Sequence, residues 1–393
     1  MQTREMTADD ADASLRASRD AFGGPLQDRS KFTLGDGVHR FGTFDGGVLA
    51  AKANDLEFTS LIGGREVVTA GVAGVLVTPE YRGTGLAREV LTHLLGRARQ
   101  RGAVISTLFR TAPALYRSLG YEQVAELCVG ELPTAALRGL RVRPGITVRR
   151  ATANDAPAIR AVYAQVASTG SCLLTRTGPR FTATDDMLIE SFDGITVAAN
   201  PTGDITGYAS WNRGENWGPT GVLEVVDLLS LDSASAESLL SVIGSFDAVT
   251  PTVTIRTSGL DPIHWLIPGA GWSVRDVRPY LLRVVDLAGA VEQRGWPGRA
   301  DAAVDFSVED PVCPWNSGHH RLVLSGGRAR LEPVSGDGSG MWISPRGLGV
   351  VMAGAVTVAQ LRRAGLIEGG TPSAARILDA AMAGPRPAVL DFF

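Results

Sequence analysis

The stretch Val75-Leu-Val-Thr-Pro-Glu-Tyr-Arg-Gly-Thr-Gly-Leu-Ala87 indicates the fold more clearly than any other part of the chain. An apolar strand is predicted to end at Val77, and a helix is predicted to begin at Leu86. The loop between them contains Arg82 and two glycines. The first N–H groups of a helix have no intrahelical partner, and the helix dipole adds positive potential there. Since glycine lets a ligand approach the backbone closely, the stretch predicts a cradle for a phosphate or pyrophosphate.

The residues on either side extend this junction into a layered fold. Gly71 to Val77 is almost entirely small or β-branched, as expected of a strand that is covered on both faces. From Leu86 to Ala98 the apolar residues recur at helical spacing, with charged residues on the opposite face. Gly102 ends the predicted helix, and Ala103 to Phe109 is predicted to form another buried strand. Strand–helix–strand order is typical of an α/β layer.

Composition and charge limit the classes of protein that remain. The chain has 393 residues, of which 44% are hydrophobic and 20% charged, which is typical of a globular protein with two or three domains. The net charge of −3 and the lack of a Lys/Arg stripe predict no nucleic-acid partner. Three widely spaced cysteines predict neither a disulfide framework nor a metal site, and His319 and His320, predicted to lie in a polar turn, lack metal-ligand spacing. No signal peptide and no apolar run of about 18 residues is found, so we expect a cytoplasmic protein without a membrane segment.

The chain divides into three predicted segments. Met6-Thr-Ala-Asp-Asp10 precedes a helix, and Ile146 to Asp155 repeats this opening as a strand followed by a helix cap, which indicates a second copy of the same architecture. An arginine-rich stretch, residues 137–145, is predicted to link the two copies. Farther on, strands with glycine-rich turns and two late helices, Thr357 to Ala364 and Thr371 to Ala383, predict an α+β segment. We therefore expect boundaries near residues 142 and 286, giving segments 1–141, 142–285 and 286–393.

The glycine-rich loop alone leaves two interpretations open, a phosphate site or a tight connection between strand and helix. It is neither a P-loop nor a dinucleotide-binding G-x-G-x-x-G. Its pattern, Arg82-x-x-Gly85-x-Ala87, resembles the pyrophosphate-binding signature R/Q-x-x-G-x-G/A of the GNAT acetyltransferase superfamily. A second landmark of that superfamily is a tyrosine in Y-x-x-x-G-Y/F, which is matched by Tyr116 and the pair Gly120-Tyr121.

Two GNAT-like segments, a third α+β segment and the aromatic C-terminus Val389-Leu-Asp-Phe-Phe393 together resemble the enhanced intracellular survival (Eis) family. The resemblance implies tandem GNAT-like α/β domains, the second of them degenerate, followed by a sterol-carrier-protein-like α+β domain. It implies direct transfer of an acetyl group from acetyl-CoA to a primary amine of an aminoglycoside, a polyamine or a lysine, without a metal, in a homo-oligomer that is a hexamer. The second segment lacks the R/Q-x-x-G-x-G/A signature, so we expect it to bind no coenzyme and to frame the substrate cleft.

The resemblance also assigns roles to individual residues. Tyr116 would act as general acid toward the departing thiolate, and the C-terminal carboxylate of Phe393 as general base toward the amine. A strand-end N–H near Val77 would polarise the thioester carbonyl. Seven residues would bind the coenzyme, the two valines through the pantetheine arm and the next four through the pyrophosphate: Val75, Val77, Arg82, Gly83, Gly85, Leu86 and Thr111.

Two features depart from the family pattern. Where family members carry an acid just before the final residue this chain has Phe392, and its nearest acid is Asp391. The acidic, aromatic substrate pocket of the family has no residue-by-residue match in the first helical region, where the candidates are Asp20, Phe22, Phe32 and Phe41. Two other functions remain open from the sequence: a non-catalytic protein that binds acyl-CoA or an apolar ligand, and a structural assembly protein.

Overall fold

The computed structural model describes residues 1–214, 218–258, 261–267, 271–298, 301–335, 340–354 and 356–393. Within these residues thirteen strands form one continuous mixed sheet, and five strands form a second, smaller sheet. The first two segments build the large sheet, and the third builds the small one. The expected class, two α/β parts followed by an α+β part, is confirmed.

The first segment contributes one half of the large sheet. Its elements are β1 (Gln2–Glu5), α1 (Ala11–Phe22), β2 (Val38–Asp45), β3 (Val48–Ile62), β4 (Arg65–Val77), α2 (Leu86–Gln100), β5 (Ile105–Phe109), α3 (Pro113–Ser118) and β6 (Glu122–Pro133). The helix α2 buries the apolar face that the sequence predicts, which consists of Leu86, Val90, Leu91, Leu94, Leu95 and Ala98. A fully buried leucine contributes about 1.5–3 kcal/mol relative to an exposed one, so this face holds α2 firmly against the sheet.

The second segment repeats the opening of the first. Its elements are β7 (Thr147–Arg150), α4 (Ala156–Ser168), β8 (Leu173–Leu174), α5 (Asp185–Glu190), β9 (Gly194–Ala199), β10 (Ile205–Asn212), β11 (Val222–Ser230), α6 (Ser233–Gly244), β12 (Thr252–Thr257) and β13 (Ser273–Val284). In both segments a threonine and an aspartate three residues later form a capping box before the first long helix. The aspartate also pairs with an arginine on the opening strand: Arg4 with Asp10 and Arg149 with Asp155, each at 2.7 Å. The predicted second copy is therefore visible in its local chemistry.

The two halves of the large sheet share their central strands. The strand order is β1-β2-β3-β4-β5-β13-β6-β12-β11-β10-β9-β7, and β8 pairs with β3. β13 comes from the end of the second segment and pairs with β5, with Tyr280 opposite Phe109. β6 comes from the first segment and pairs with β12, with Pro133 opposite Thr252. Each half is thus completed by a strand from the other.

The third segment covers one face of this shared centre. Its elements are α7 (Leu287–Gln293), β14 (Ala302–Val308), β15 (Gly318–Ser325), β16 (Arg328–Pro333), β17 (Met341–Ile343), α8 (Pro345–Ala353), α9 (Val358–Arg363), β18 (Ile367–Gly369) and α10 (Pro372–Ala381). A fully buried ion pair at 2.8 Å joins Arg283 of β13 to Asp310. The turn predicted for His319 and His320 is wrong, because both residues pair with β14 as part of β15. No helix in the described ranges is long and apolar enough to cross a membrane.

Candidate active site

β4 and β5 form a wedge-shaped opening in the first half of the large sheet. The two strands are parallel, and their last paired residues are Gly71 and Thr107. Beyond that pair β4 follows β3 while β5 follows β13, so the strands diverge. Strand edges without a neighbour present free backbone N–H and C=O groups. The opening can therefore offer main-chain hydrogen bonds to a ligand.

A β-bulge lies on the β4 side of the opening. Lys52 of β3 lies opposite Leu76 and Asn54 opposite Ala73, so β4 carries one more residue than β3 in this interval. Gly74 adopts a left-handed conformation (φ 59°), and a Cβ there would stand 2.7 Å from Nδ2 of Asn54. Bulges re-aim the backbone and are common beside active sites. Only glycine fits this position without a clash.

The predicted anion cradle lies where β4 leads into α2. Gly85 is the N-cap of α2 in a left-handed conformation (φ 88°), and no side chain in the described residues caps this helix. Gly83 is also left-handed (φ 80°), and the space where a Cβ would stand is open at both glycines. Arg82 is exposed beside them, with its Nε 3.4 Å from the carbonyl oxygen of Val77. Free N–H groups, the helix dipole and a guanidinium together fit the pyrophosphate of a coenzyme.

The remaining predicted coenzyme residues lie at different places along this path. The Leu86 side chain is only 4% exposed and packs in the core, so its backbone N–H alone can reach a ligand. Val77 lies opposite Ala51 at the end of β4. Val75 and Thr111 line a cavity of about 410 Å³ that fills the wedge.

That cavity brings together residues from distant parts of the chain. Its walls include the bulged part of β4, residues 72–75, and residues 277–279 of β13, which lie just before the part of β13 that pairs with β5. Tyr116 lines it from α3, and Phe392 and Phe393 line it from the C-terminus. The residues predicted as general acid and general base therefore share one cavity.

Tyr116 is held in a fixed orientation. Its side chain is 3% exposed, and its ring meets that of Tyr121 edge-on at 6.1 Å. The Tyr121 hydroxyl in turn lies 2.7 Å from Oγ of Ser106. Burial raises the pKa of Tyr116, and a side-chain hydrogen bond with Thr111 offsets part of that rise. At neutral pH the hydroxyl of Tyr116 therefore carries its proton, as a general acid must.

The two terminal phenylalanines close the cavity from the other side. The ring of Phe393 packs against Phe58 at 4.8 Å and against Phe109 at 5.6 Å. A Cβ at Gly71 would stand 3.1 Å from the Phe393 ring, so the absence of a side chain there makes room for the terminus. The Phe392 ring packs against Phe109 at a tilt, with 4.8 Å between ring centres, and remains half exposed. The aromatic C-terminus is thus seated at the point where β4 and β5 diverge.

Only one of the four candidates named for the substrate pocket lines the cavity. Phe22, at the end of α1, belongs to its wall. Phe41 is 1% exposed and packs in the core, whereas Phe32 lies under the guanidinium of Arg40. Asp20 is exposed and pairs with its neighbour Arg19.

Sequence reasoning missed several parts of the cavity. The bulge at Gly74 gave no signal, since one glycine in an apolar strand can also be a packing position. Arg110 and Arg278 line the wall. Arg278 lies on β13, the strand of the second segment that pairs with β5. Arg110 follows directly on β5 and could have been found from its place in the sequence, but Arg278 could not.

The second half of the sheet differs at the position that corresponds to the cradle. There α6 follows β11, as α2 follows β4, and its N-cap is Asp232 rather than a glycine. The Asp232 carboxylate accepts a hydrogen bond from the backbone N–H of Ser235 at 2.7 Å. A negative side chain already occupies this helix N-terminus, so it repels a phosphate instead of binding one. Within the described residues no group of three or more His, Cys, Asp or Glu side chains is placed to hold a metal ion.

Comparison with known families divides the chain in the same order. Residues 2–124 and residues 172–284 each match a family described as an acetyltransferase (GNAT) domain. Residues 287–390 match the sterol carrier protein domain. GNAT acetyltransferases take their acetyl group from acetyl-CoA and act on amines.

Similar proteins cover most or all of the chain. An uncharacterized N-acetyltransferase of Streptomyces coelicolor is 30% identical over 322 residues, which is 78% of this chain and 76% of the relative. The crystal structure of a GCN5-related N-acetyltransferase from Kribbella flavida is 29% identical, with a TM-score of 0.85 over 100% of this chain and 98% of that one. Eis1 from Mycobacterium abscessus shares the fold at 21% identity, with a TM-score of 0.79 over the full length of both chains. The chain belongs to the GNAT N-acetyltransferases, with two GNAT domains and a C-terminal sterol-carrier-protein-like domain.

Proposed function

We propose that this N-acetyltransferase is an Eis-type enzyme that moves an acetyl group directly from acetyl-CoA to a primary amine of an aminoglycoside, polyamine or lysine-type substrate. The observation that carries the proposal is the cavity between β4 and β5, which has Tyr116 and Phe393 in its walls. Tyr116, which can donate a proton, and Phe393, whose carboxylate can accept one, therefore line the same cavity. The Eis1 structure supports only the shared fold.

The chemistry needs a proton acceptor and a proton donor. An alkylammonium has a pKa of about 10.4 and must lose a proton before its nitrogen can attack. In the proposed mechanism the Phe393 carboxylate takes that proton, directly or through water. Acetyl-CoA supplies the acetyl group as a thioester. Tyr116 gives its proton to the sulfur that leaves, and backbone N–H groups of the bulged strand stabilise the developing negative charge on the carbonyl oxygen.

The coenzyme is proposed to lie along β4 from the loop to the cavity. Arg82, Gly83, Gly85 and the Leu86 N–H would hold its pyrophosphate, which the open space above both glycines supports. The backbones of Val75 and Val77 would hold the pantetheine arm, and Thr111 would contact it close to Tyr116. The bulge at residues 73–75 lies inside the cavity wall, so its N–H groups replace the strand end at Val77 as the proposed oxyanion donors.

The charge of the cavity wall ranks the candidate amines. Among the described residues the wall contains no aspartate or glutamate, but it does contain Arg110 and Arg278. Asp276 balances Arg278 at 2.8 Å. Arg110 therefore adds positive charge that repels a polycation, and the single terminal carboxylate can balance only one ammonium. We expect amines with one positive charge, or with a carboxylate of their own, to be better acceptors than polyamines or aminoglycosides.

The test is release of thiol from acetyl-CoA with four acceptors: Nα-acetyl-lysine, its amide, spermidine and an aminoglycoside. We expect kcat/KM to fall in that order. Tyr116→Phe is expected to lower kcat about 100-fold or more with little change in KM, as for loss of a general acid. Tyr121→Phe is the matched control, because its hydroxyl bonds Ser106 in the core. Binding of coenzyme A by calorimetry without turnover on any acceptor would favour the non-catalytic alternative.

Two further variants separate the Phe393 ring from its carboxylate. A chain that lacks Phe393 loses both, including the contact with Phe58. A chain extended by one glycine keeps the ring and moves the carboxylate by about 3.8 Å. Both are expected to lose turnover, and normal turnover in the extended chain would exclude the carboxylate as base.

We also propose the domain boundaries predicted from the sequence pattern and the assembly that the resemblance implies. The family matches at 2–124, 172–284 and 287–390 fall inside the proposed domains 1–141, 142–285 and 286–393. The proposed assembly is a homo-oligomer, as a hexamer. Sedimentation equilibrium of the full chain measures its mass against the 41.3 kDa of one subunit.

A further inference from the structure

The last residues of the chain cross the second half of the large sheet before they reach the cavity. The backbone N–H of Ala388 donates to the carbonyl oxygen of Ser171 at 2.8 Å. Arg256 Nη1 donates to the carbonyl oxygen of Leu390 at 3.0 Å. The Leu390 side chain is itself buried among residues of the second segment. The second domain thus contacts the C-terminal tail at Ala388 and Leu390, just before the tail reaches the cavity.

Arg176 joins this tail to the second half of the sheet. Its Nε donates to Oδ1 of Asp391 at 2.9 Å, and its Nη2 donates to Oδ1 of Asp227 at 3.0 Å. The guanidinium lies 3.9 Å from the ring centre of Tyr163, whose hydroxyl is 3.3 Å from the other Asp391 oxygen. Tyr208 donates to Asp227 at 2.9 Å. One partly buried arginine therefore holds a carboxylate of the tail and a carboxylate of the sheet at the same time.

Asp227 lies at the counterpart of the wedge that forms the cavity. β11 and β12 are parallel, like β4 and β5, and their pairing ends at Val225 and Ile255. β11 then carries an extra residue opposite β10, as β4 does opposite β3. Asp227 follows that extra residue, and Arg256 follows Ile255. The tail is therefore held at the opening of the second domain and ends, with Phe393, in the opening of the first.

The backbone of Arg176 is strained, and the contacts of its side chain hold it in that conformation. Its φ of 53° lies in the left-handed region, which is unfavourable for any residue with a Cβ. Glycine would adopt this conformation freely. Backbone strain persists only where the surroundings fix the residue, and here Asp227, Asp391 and the ring of Tyr163 do so.

We infer that Arg176 is a positioning residue, which acts through Asp391 to set the place of the Phe393 carboxylate in the cavity. The inference rests on the proposed function, in which that carboxylate takes the proton of the amine. A chain end without anchors samples many positions, whereas a displacement of about 1 Å at a reacting group can cost about 100-fold in rate. The second domain, whose helix N-terminus repels phosphate, thus uses its opening to hold the tail of its own chain.

Asp391→Asn is the primary test. It removes the negative charge of the Asp391 side chain at nearly constant shape and leaves the Arg176–Asp227 pair in place. We expect carboxypeptidase A to release Phe393 at least about tenfold faster from this variant than from the wild type. With Nα-acetyl-lysine, or the best acceptor of the panel, kcat is expected to fall about ten- to hundredfold, the loss of one charged hydrogen bond. The KM for acetyl-CoA should not change, since the cradle at α2 is untouched.

Two more variants keep the test independent of folding defects. Asp391→Glu keeps the charge and is expected to recover part of kcat. Arg176→Lys keeps a cation that cannot bind two carboxylates in the planar, forked manner of a guanidinium, so it should behave like Asp391→Asn. Arg149→Gln is the matched control, because it removes an ion pair with Asp155 in the same domain, away from the tail.

The outcomes separate this inference from the proposed function. If Asp391→Asn leaves release of Phe393 unchanged, or speeds release without lowering kcat while deletion of Phe393 abolishes turnover, the positioning role is wrong and the proposed base stands. If the chain that lacks Phe393 turns over normally, the proposed base is wrong and the positioning role falls with it.

Discussion

Replacing Gly85 or Gly96 of α2 by alanine is expected to have opposite effects on the stability of the protein. Gly85 is the left-handed N-cap of α2, at φ 88°, and has nothing within 4 Å of the place where a Cβ would stand. The cost of Gly85→Ala is therefore conformational and not a clash with neighbours. For a residue with a Cβ the left-handed conformation costs about 1–2 kcal/mol.

That cost must appear either in folding or in coenzyme binding. If the loop keeps its shape, Gly85→Ala lowers the free energy of unfolding by about 1–2 kcal/mol. If the loop relaxes, its N–H groups turn away from the cradle, and the same energy reduces coenzyme affinity by about five- to thirtyfold. Gly96 lies inside α2, also with open space around it, and Gly96→Ala should raise stability by about 0.5–1 kcal/mol with unchanged affinity.

The assay pairs urea unfolding with calorimetric titration of coenzyme A for the wild type and both variants. If Gly85→Ala has the stability and the coenzyme affinity of the wild type, the reasoning is refuted, because the conformational cost then appears in neither folding nor binding. A similar loss of affinity in Gly96→Ala would refute it differently, by showing that any change in α2 weakens binding.

Two further predictions concern the first domain. Burial and repulsion from Arg40 lower the pKa of Lys52 from 10.5 to about 8. Between these pH values the unfolded chain therefore binds a proton at Lys52 that the folded chain does not. The free energy of unfolding should fall by about 3 kcal/mol as the pH drops from about 10.5 to 8. Urea unfolding between these pH values should show that dependence in the wild type and not in Lys52→Met, and parallel curves would contradict it. Phe22→Ala, in the cavity wall, should raise the KM for the amine about tenfold, as for loss of about 1.4 kcal/mol of apolar contact, with no change in the KM for acetyl-CoA. Phe32→Ala is its control, since Phe32 lies under Arg40, and an equal effect of both would contradict a specific role of Phe22.

Much of the first half of the sheet could be predicted because its signals are local. The apolar spacing from Leu86 to Ala98 gives the buried face of α2, and the capping residues Thr7 and Thr152 mark both helix starts. The signature at Arg82 and Gly85 needs only a strand, a loop and a helix in sequence order. In each of these cases the residues that interact lie within a few turns of one another.

The parts that could not be predicted depend on contacts between distant residues. The composition of β13 predicts a strand but not which strand it pairs with, so the pairing of Tyr280 with Phe109 across the domain boundary has no signal in the sequence. Asp391 was visible only as an acid one position away from the family pattern. Its partner Arg176 comes from a loop of the second domain, and an ion pair between such distant residues leaves no periodic signal in the sequence.

The two openings of the large sheet show how one architecture can take up two tasks. Both have parallel strands that diverge, a bulge beside the point of divergence and a helix that follows the bulged strand. The decisive difference lies at the helix N-terminus, where Gly85 leaves the N–H groups free and Asp232 occupies them with a negative charge. Of these two helix N-termini we therefore expect the first to hold a phosphate and the second to repel one. The second opening instead holds the tail through Arg176 and Arg256. In the proposed mechanism the second domain therefore contributes to the site of the first.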